Sequence, residues 1–210
     1  MRVLLLATDE LKEELFAHPV SEKIELKWIT DPNAFIPGQS IDACVDLLFE
    51  NTNERITWLK SLQASLIIIN SVVTPLHHIQ GHFIRINGWT TFLKRPVVEA
   101  AAINSLLQPK AEELLNCFGR TIEWLPDITG FITPRIVASI INEAFFTLEE
   151  NVSTEAEIDT AMKLGTNYPF GPFEWGKKIG LYNIYSLLAT LSGEKKRYTP
   201  SLLLKQTALA

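Results

Sequence analysis

The chain has 210 residues, 47% of them hydrophobic, and a formal net charge of −5. This is enough for one large domain or two small ones with a proper core, and it excludes a disordered chain. An acidic balance without a long basic run argues against nucleic acid as the main partner, and no apolar stretch approaches the roughly 20 residues of a membrane span. The opening MRVLLLATDELKEEL turns acidic too early for a signal segment and reads as a strand followed by a helix. The two cysteines, Cys44 and Cys117, form no CxxC pair and stand near no histidine at metal spacing, so they read as reduced thiols of a cytosolic protein and imply no metal site.

In chain order, 2–7 (RVLLLA) predicts a buried strand, and 9–17 places Leu11, Leu15 and Phe16 on one helical face. KIELKWI, 23–29, alternates as a strand does and is broken by Asp31-Pro32. Strands follow at 41–49, 65–70 and 83–87, with a helix at 53–62 behind an asparagine cap. Pro109 opens a helix that Gly119 ends, and 121–125 is a last strand. Beyond Pro126 the signal is helical. Residues 131–150 carry Ile132, Ile136, Val137, Ile140, Ile141, Ala144, Phe145 and Leu148 on a wide apolar face, to be buried in a bundle or against a partner chain. Thr154 and Glu157 form a capping box, and further helices start near Pro172, Leu181 and Ser201. The expectation is an α/β domain over 1–126 and an all-α domain over 127–210.

A sheet that begins at residue 2 invites a test for dinucleotide binding. That chemistry needs glycines after the first strand, so that the backbone can approach a pyrophosphate at a helix N-terminus. Here the turn is Ala7-Thr8-Asp9-Glu10, the first glycine is Gly38, and Asp9, Glu10, Glu13 and Glu14 place negative charge there. Asp31, after the second strand, reads as a turn residue beside Pro32.

GFITPR (130–135), NEA (142–144), EIDTAMKLG (157–165), YPFGPFE (168–174), IGL (179–181) and the run from Arg197 resemble, in order and spacing, the C-terminal domain of 3-hydroxyacyl-CoA dehydrogenases. The resemblance covers about 96–206 and continues more weakly upstream, in LIIINS (66–71) and FIRINGWTTFLKRPVVEA (83–100). It implies a reduced Rossmann-like sheet domain followed by a helical dimerisation domain, hence a homodimer. It also implies oxidation of a 3-hydroxyacyl-CoA with NAD as cofactor, by a base histidine that a glutamate orients. On this resemblance the glutamate falls on Glu174, and counting back from Val98-Glu99 the histidine falls on Asn87. Asn70 and Ser71 match substrate- or cofactor-contacting positions, and Lys94 is a candidate for CoA phosphates.

The chain departs from the family's pattern at three places. Asn87 has no lone-pair nitrogen to accept a proton near neutral pH, Pro134 stands where the family has a substrate-contacting asparagine, and the glycine-rich turn is missing. None of the four histidines, His18, His77, His78 and His82, falls on the base position. Three functions follow: a dehydrogenase working by altered means, a non-catalytic binder of an acyl-CoA-type ligand, or a homodimeric scaffold.

Overall fold

The computed structural model describes residues 1–35 and 38–210, and they divide into two compact units, Met1–Phe131 and Ile132–Ala210. The first is a seven-stranded sheet of β1 (Arg2–Leu6), β2 (Glu25–Ile29), β3 (Ala43–Asp46), β4 (Leu66–Asn70), β5 (Ile84–Ile86), β6 (Val97–Ala102) and β7 (Thr121–Trp124). The strand order is β2-β1-β3-β4-β5-β6-β7, parallel throughout except for the antiparallel pair β5–β6. This is a Rossmann-like sheet.

Alternation along the strands sends side chains to two covered faces. On one, Val3, Leu5, Val45, Ile68 and Ile84 meet Leu11 and Leu15 of α1 (Asp9–Leu15) and Ala111, Leu114 and Leu115 of α3 (Gln108–Cys117). On the other, Leu4, Leu6, Cys44, Ile67 and Ile69 meet Ile56 and Leu59 of α2 (Asn53–Ser61). Each fully buried leucine or isoleucine contributes about 1.5–3 kcal/mol. The cap of α2 is Thr52, not an asparagine: its hydroxyl accepts the Arg55 N–H at 3.2 Å. Gly119 follows α3 at φ +71, where a Cβ would lie 2.8 Å from that of His18.

The helical unit holds α4 (Ile132–Glu149), α5 (Glu155–Thr166), α6 (Pro172–Ile179), α7 (Leu181–Ser192) and α8 (Leu202–Leu209). α4 buries Val137, Ala138, Ile141, Ala144 and Phe145. Ile132 and Ile136, expected on that face, stay 52% and 54% exposed. Asn142, read only as part of a motif, is buried instead: its amide donates to the Thr199 carbonyl at 3.0 Å and accepts the Ser201 N–H at 2.8 Å, tying α4 to the start of α8. The Thr154–Glu157 capping box forms as expected, and α5 runs one residue past Gly165 to end at Asn167 in the left-handed region.

The division falls at 131/132, five residues beyond the expected boundary, and Arg85 of β5 is the reason. Its buried guanidinium donates to Asp127 Oδ1 at 2.6 Å, to the Ser71 carbonyl at 2.9 Å and to the Ile128 carbonyl, and it lies over the Phe131 ring. Residues 127–131 are thereby held on the sheet unit.

Candidate functional site

In an open α/β sheet, ligands are met at the carboxyl ends of the strands. β4 ends at Asn70. Its amide donates to the Leu47 carbonyl at 3.2 Å and its Oδ1 accepts the Gly88 N–H at 2.9 Å. A Cβ on Gly88 would lie 2.8 Å from the Asn70 side chain, so that approach needs glycine. Asn70 thus ties the ends of β3, β4 and β5 together. Ser71 is buried and its hydroxyl donates to the Thr74 carbonyl at 2.8 Å, closing the turn after β4.

Asn87 lies one residue beyond β5 and is 4% exposed. The β5–β6 register pairs Ile86 with Ala100, which sets Asn87 beside Glu99. The Asn87 backbone N–H donates to the Glu99 carbonyl at 3.0 Å, and its side-chain amide donates to Glu99 Oε2 at 3.0 Å. Asn87 Oδ1 in turn accepts the Trp89 N–H at 3.4 Å. Glu99 therefore presents its carboxylate to position 87. Sequence reasoning quoted it in RPVVEA but gave it no role, and the signal that finds it is the antiparallel pairing of residues 12 apart.

Glu174 lies in the helical unit, in the first turn of α6. Its carboxylate pairs with Lys163 at 3.3 Å on a surface where both side chains are more than a third exposed. The N-terminus of α6 is served by another acid: Asp159 accepts the Phe173 N–H at 2.8 Å and the Glu174 N–H at 3.0 Å. Lys94 is exposed, and its carbonyl is hydrogen-bonded to His18 Nε2 at 3.0 Å. His77 sits on Asp127, with Nδ1 3.3 Å from Oδ2.

Two acids near the strand ends have altered acidity. Asp46, fully buried at the end of β3, is pushed up to about 6, chiefly by burial, with Arg55 at 3.5 Å opposing it. Glu14, at the end of α1, is also raised, first by burial, and its Oε2 is buried without a hydrogen-bond partner among the described residues.

The residues where a dinucleotide would lie do not fit one. Thr8 caps α1 itself, its hydroxyl accepting the Leu11 N–H at 3.3 Å, and Asp9 and Glu10 fill the first turn. The Trp28 indole donates to the Ala7 carbonyl at 2.9 Å at the end of β1, with the Lys12 ammonium 3.6 Å from its ring centre. Asp31 is spent on the turn at Pro32–Ala34, accepting the Asn33 N–H at 2.9 Å. Among the described residues no group of three His, Cys, Asp or Glu side chains could hold a metal ion, and no helix is long and apolar enough to cross a membrane.

Residues 130–210 match the family model described as 3-hydroxyacyl-CoA dehydrogenase, C-terminal domain. The 3-hydroxyadipyl-CoA dehydrogenase of Escherichia coli is 43% identical over 115 residues, 53% of this chain and 24% of that protein. The mitochondrial hydroxyacyl-coenzyme A dehydrogenase of Sus scrofa is 36% identical over 166 residues, 72% of this chain and 53% of that protein. The chain thus spans about half of the pig protein it matches and about a quarter of the bacterial one. A solved (S)-3-hydroxybutyryl-CoA dehydrogenase from Ralstonia eutropha shares the fold at TM-score 0.72 and 18% identity, covering 98% of this chain and 92% of that one. Sheet order, helical motifs and these likenesses agree: the chain belongs to the 3-hydroxyacyl-CoA dehydrogenase family, whose C-terminal domain it carries in residues 130–210.

Proposed function

We propose that this chain binds an acyl-CoA-type ligand without carrying out the oxidation its relatives are named for. The observation that supports this most directly is the pair at the end of β5, an amide bonded to Glu99 at 3.0 Å where the family resemblance expects a base histidine. An amide can hold a hydroxyl or carbonyl oxygen but takes up no proton near neutral pH. Glu99 orients the Asn87 amide through that bond. NAD, which the resemblance implies, would meet an acidic, self-capped turn. Asn70, Ser71, Lys94 and Glu174 remain proposed ligand contacts, the first two also holding the strand ends. We also propose a homodimer through the helical unit.

The test is a thermal-shift titration with CoA and acetoacetyl-CoA, beside an assay of NADH oxidation with acetoacetyl-CoA. Ligand at one hundred times its dissociation constant adds about 2.7 kcal/mol of stability, so binding raises Tm readably while turnover stays at background. Asn87→His alone restores no turnover. Turnover by the unaltered chain sinks the proposal, and no shift with either CoA ligand leaves the scaffold.

A further inference from the structure

In a dinucleotide-binding sheet the first helix works through its N-terminus, which faces the pyrophosphate. In this chain α1 has seven residues, two turns, and its N-terminal end is closed by Thr8, Asp9, Glu10 and the Trp28 indole. Its C-terminal end is where its contacts gather. Glu14 Oε1 accepts the Thr91 N–H at 2.6 Å. His18, three residues past the helix, meets the Lys94 carbonyl at 3.0 Å. Buried Arg120 donates to the Leu93 carbonyl at 2.9 Å, to the Glu14 carbonyl at 2.7 Å and to the Phe118 carbonyl. Residues 91, 93 and 94 are thus held from one side, and all lie in the connection that leaves β5 at Asn87 and returns in β6 at Glu99.

That connection needs holding. Thr91 has φ +80, a region a β-branched residue adopts only when its surroundings impose it. The Glu14 carboxylate is half-buried and raised in acidity range, chiefly by burial, so a charge kept there has a specific donor to serve.

We infer that the C-terminal end of α1 is an internal anchor for the β5–β6 connection, with Glu14 as the positioning residue for Thr91, and that the β1–α1 corner at the other end of the helix receives no dinucleotide. The anchored connection includes Lys94, one of the ligand contacts proposed above, but the inference does not rest on CoA binding.

Two measurements on the full chain test it. Titration with NADH and NAD+, followed by thermal shift and equilibrium dialysis, gives no rise in Tm and no retained nucleotide; stabilisation by either one overturns the exclusion, whatever the CoA ligands do. Amide hydrogen exchange then reads the anchor. Glu14→Ala speeds exchange at Thr91 at least tenfold while the amides of β1 and β4 keep their protection, and Glu14→Gln, which retains an oxygen acceptor, keeps Thr91 protected. Unchanged exchange at Thr91 in Glu14→Ala, or equal loss there in both variants, overturns the anchor; should Glu14→Ala fail to fold, loss of Thr91 protection in Glu14→Gln does the same.

Discussion

At the scale of single residues, Asp46 offers the sharpest handle. Its carboxyl is raised from 3.8 to about 6 because burial penalises the anion more than Arg55 rewards it. The folded protein therefore holds a proton between those values that the unfolded chain has lost. The stability this provides is present below about pH 4 and is lost as pH rises through 6, by up to ~1.4 kcal/mol per pH unit. Asp127 runs the other way. Burial raises it, but the Leu76 N–H and the Arg85 guanidinium outweigh that and hold it below the ordinary range, so its contribution is lost as pH falls through that lowered value. The expected outcome is that Asp46→Asn flattens the fall in stability between pH 4 and 6 in urea unfolding and leaves the acid limb below pH 4 in place. An unaltered slope between pH 4 and 6 would show that Asp46 ionises normally.

At the scale of elements, most of the sheet was legible, because β1, β3 and β4 are short apolar runs and α1, α2 and α3 carry apolar residues at helical spacing. β6 was not separated from its surroundings: VVEAAA shows no alternation, and its pairing with β5 and β7 defines it. For the same reason Glu99 went unassigned while Glu174 drew attention, since a contact between residues 12 apart on two strands leaves no local mark. Ile132 and Ile136 misled because periodicity shows which residues share a helical side, not how far a neighbour covers it. At the start of α6 the YPFGPFE motif has a structural use: a Cβ on Gly171 would lie 2.3 Å from Asp159, whose carboxylate caps the Phe173 and Glu174 N–H groups. Gly171→Ala must displace that cap, at a cost of about 1–2 kcal/mol by the usual worth of a capping side chain. Chemical denaturation would read this as a lower midpoint at unchanged m-value, and an unshifted midpoint would show that Asp159 is dispensable.

At the scale of the whole molecule, the proposed homodimer depends on surface that the helical unit leaves uncovered. α5 buries none of its residues, and a cavity of about 520 Å³ between α4 and α5 is lined by Ile140, Ala144, Val152, Ile158, Ala161 and Met162, with Glu143 and Glu157 also among its lining residues. Ile132, Ile136, Val152 and Leu164 are each more than half exposed. Apolar surface of this kind on a helical face marks an interaction site more often than an indifferent one, and apolar burial is the main driving force of association. The expected outcome is a mass of twice 23.7 kDa by light scattering at micromolar concentration. Ala161→Glu places a charge in the apolar lining and should give the single-chain mass, while circular dichroism and the amide exchange of β1 and β4, which lie in the other unit, stay as they are. A monomer at micromolar concentration in the unaltered chain would remove the dimer, and would leave the apolar lining between α4 and α5 to be explained by another partner. A dimer that survives Ala161→Glu would instead move the interface off this face of the helical unit.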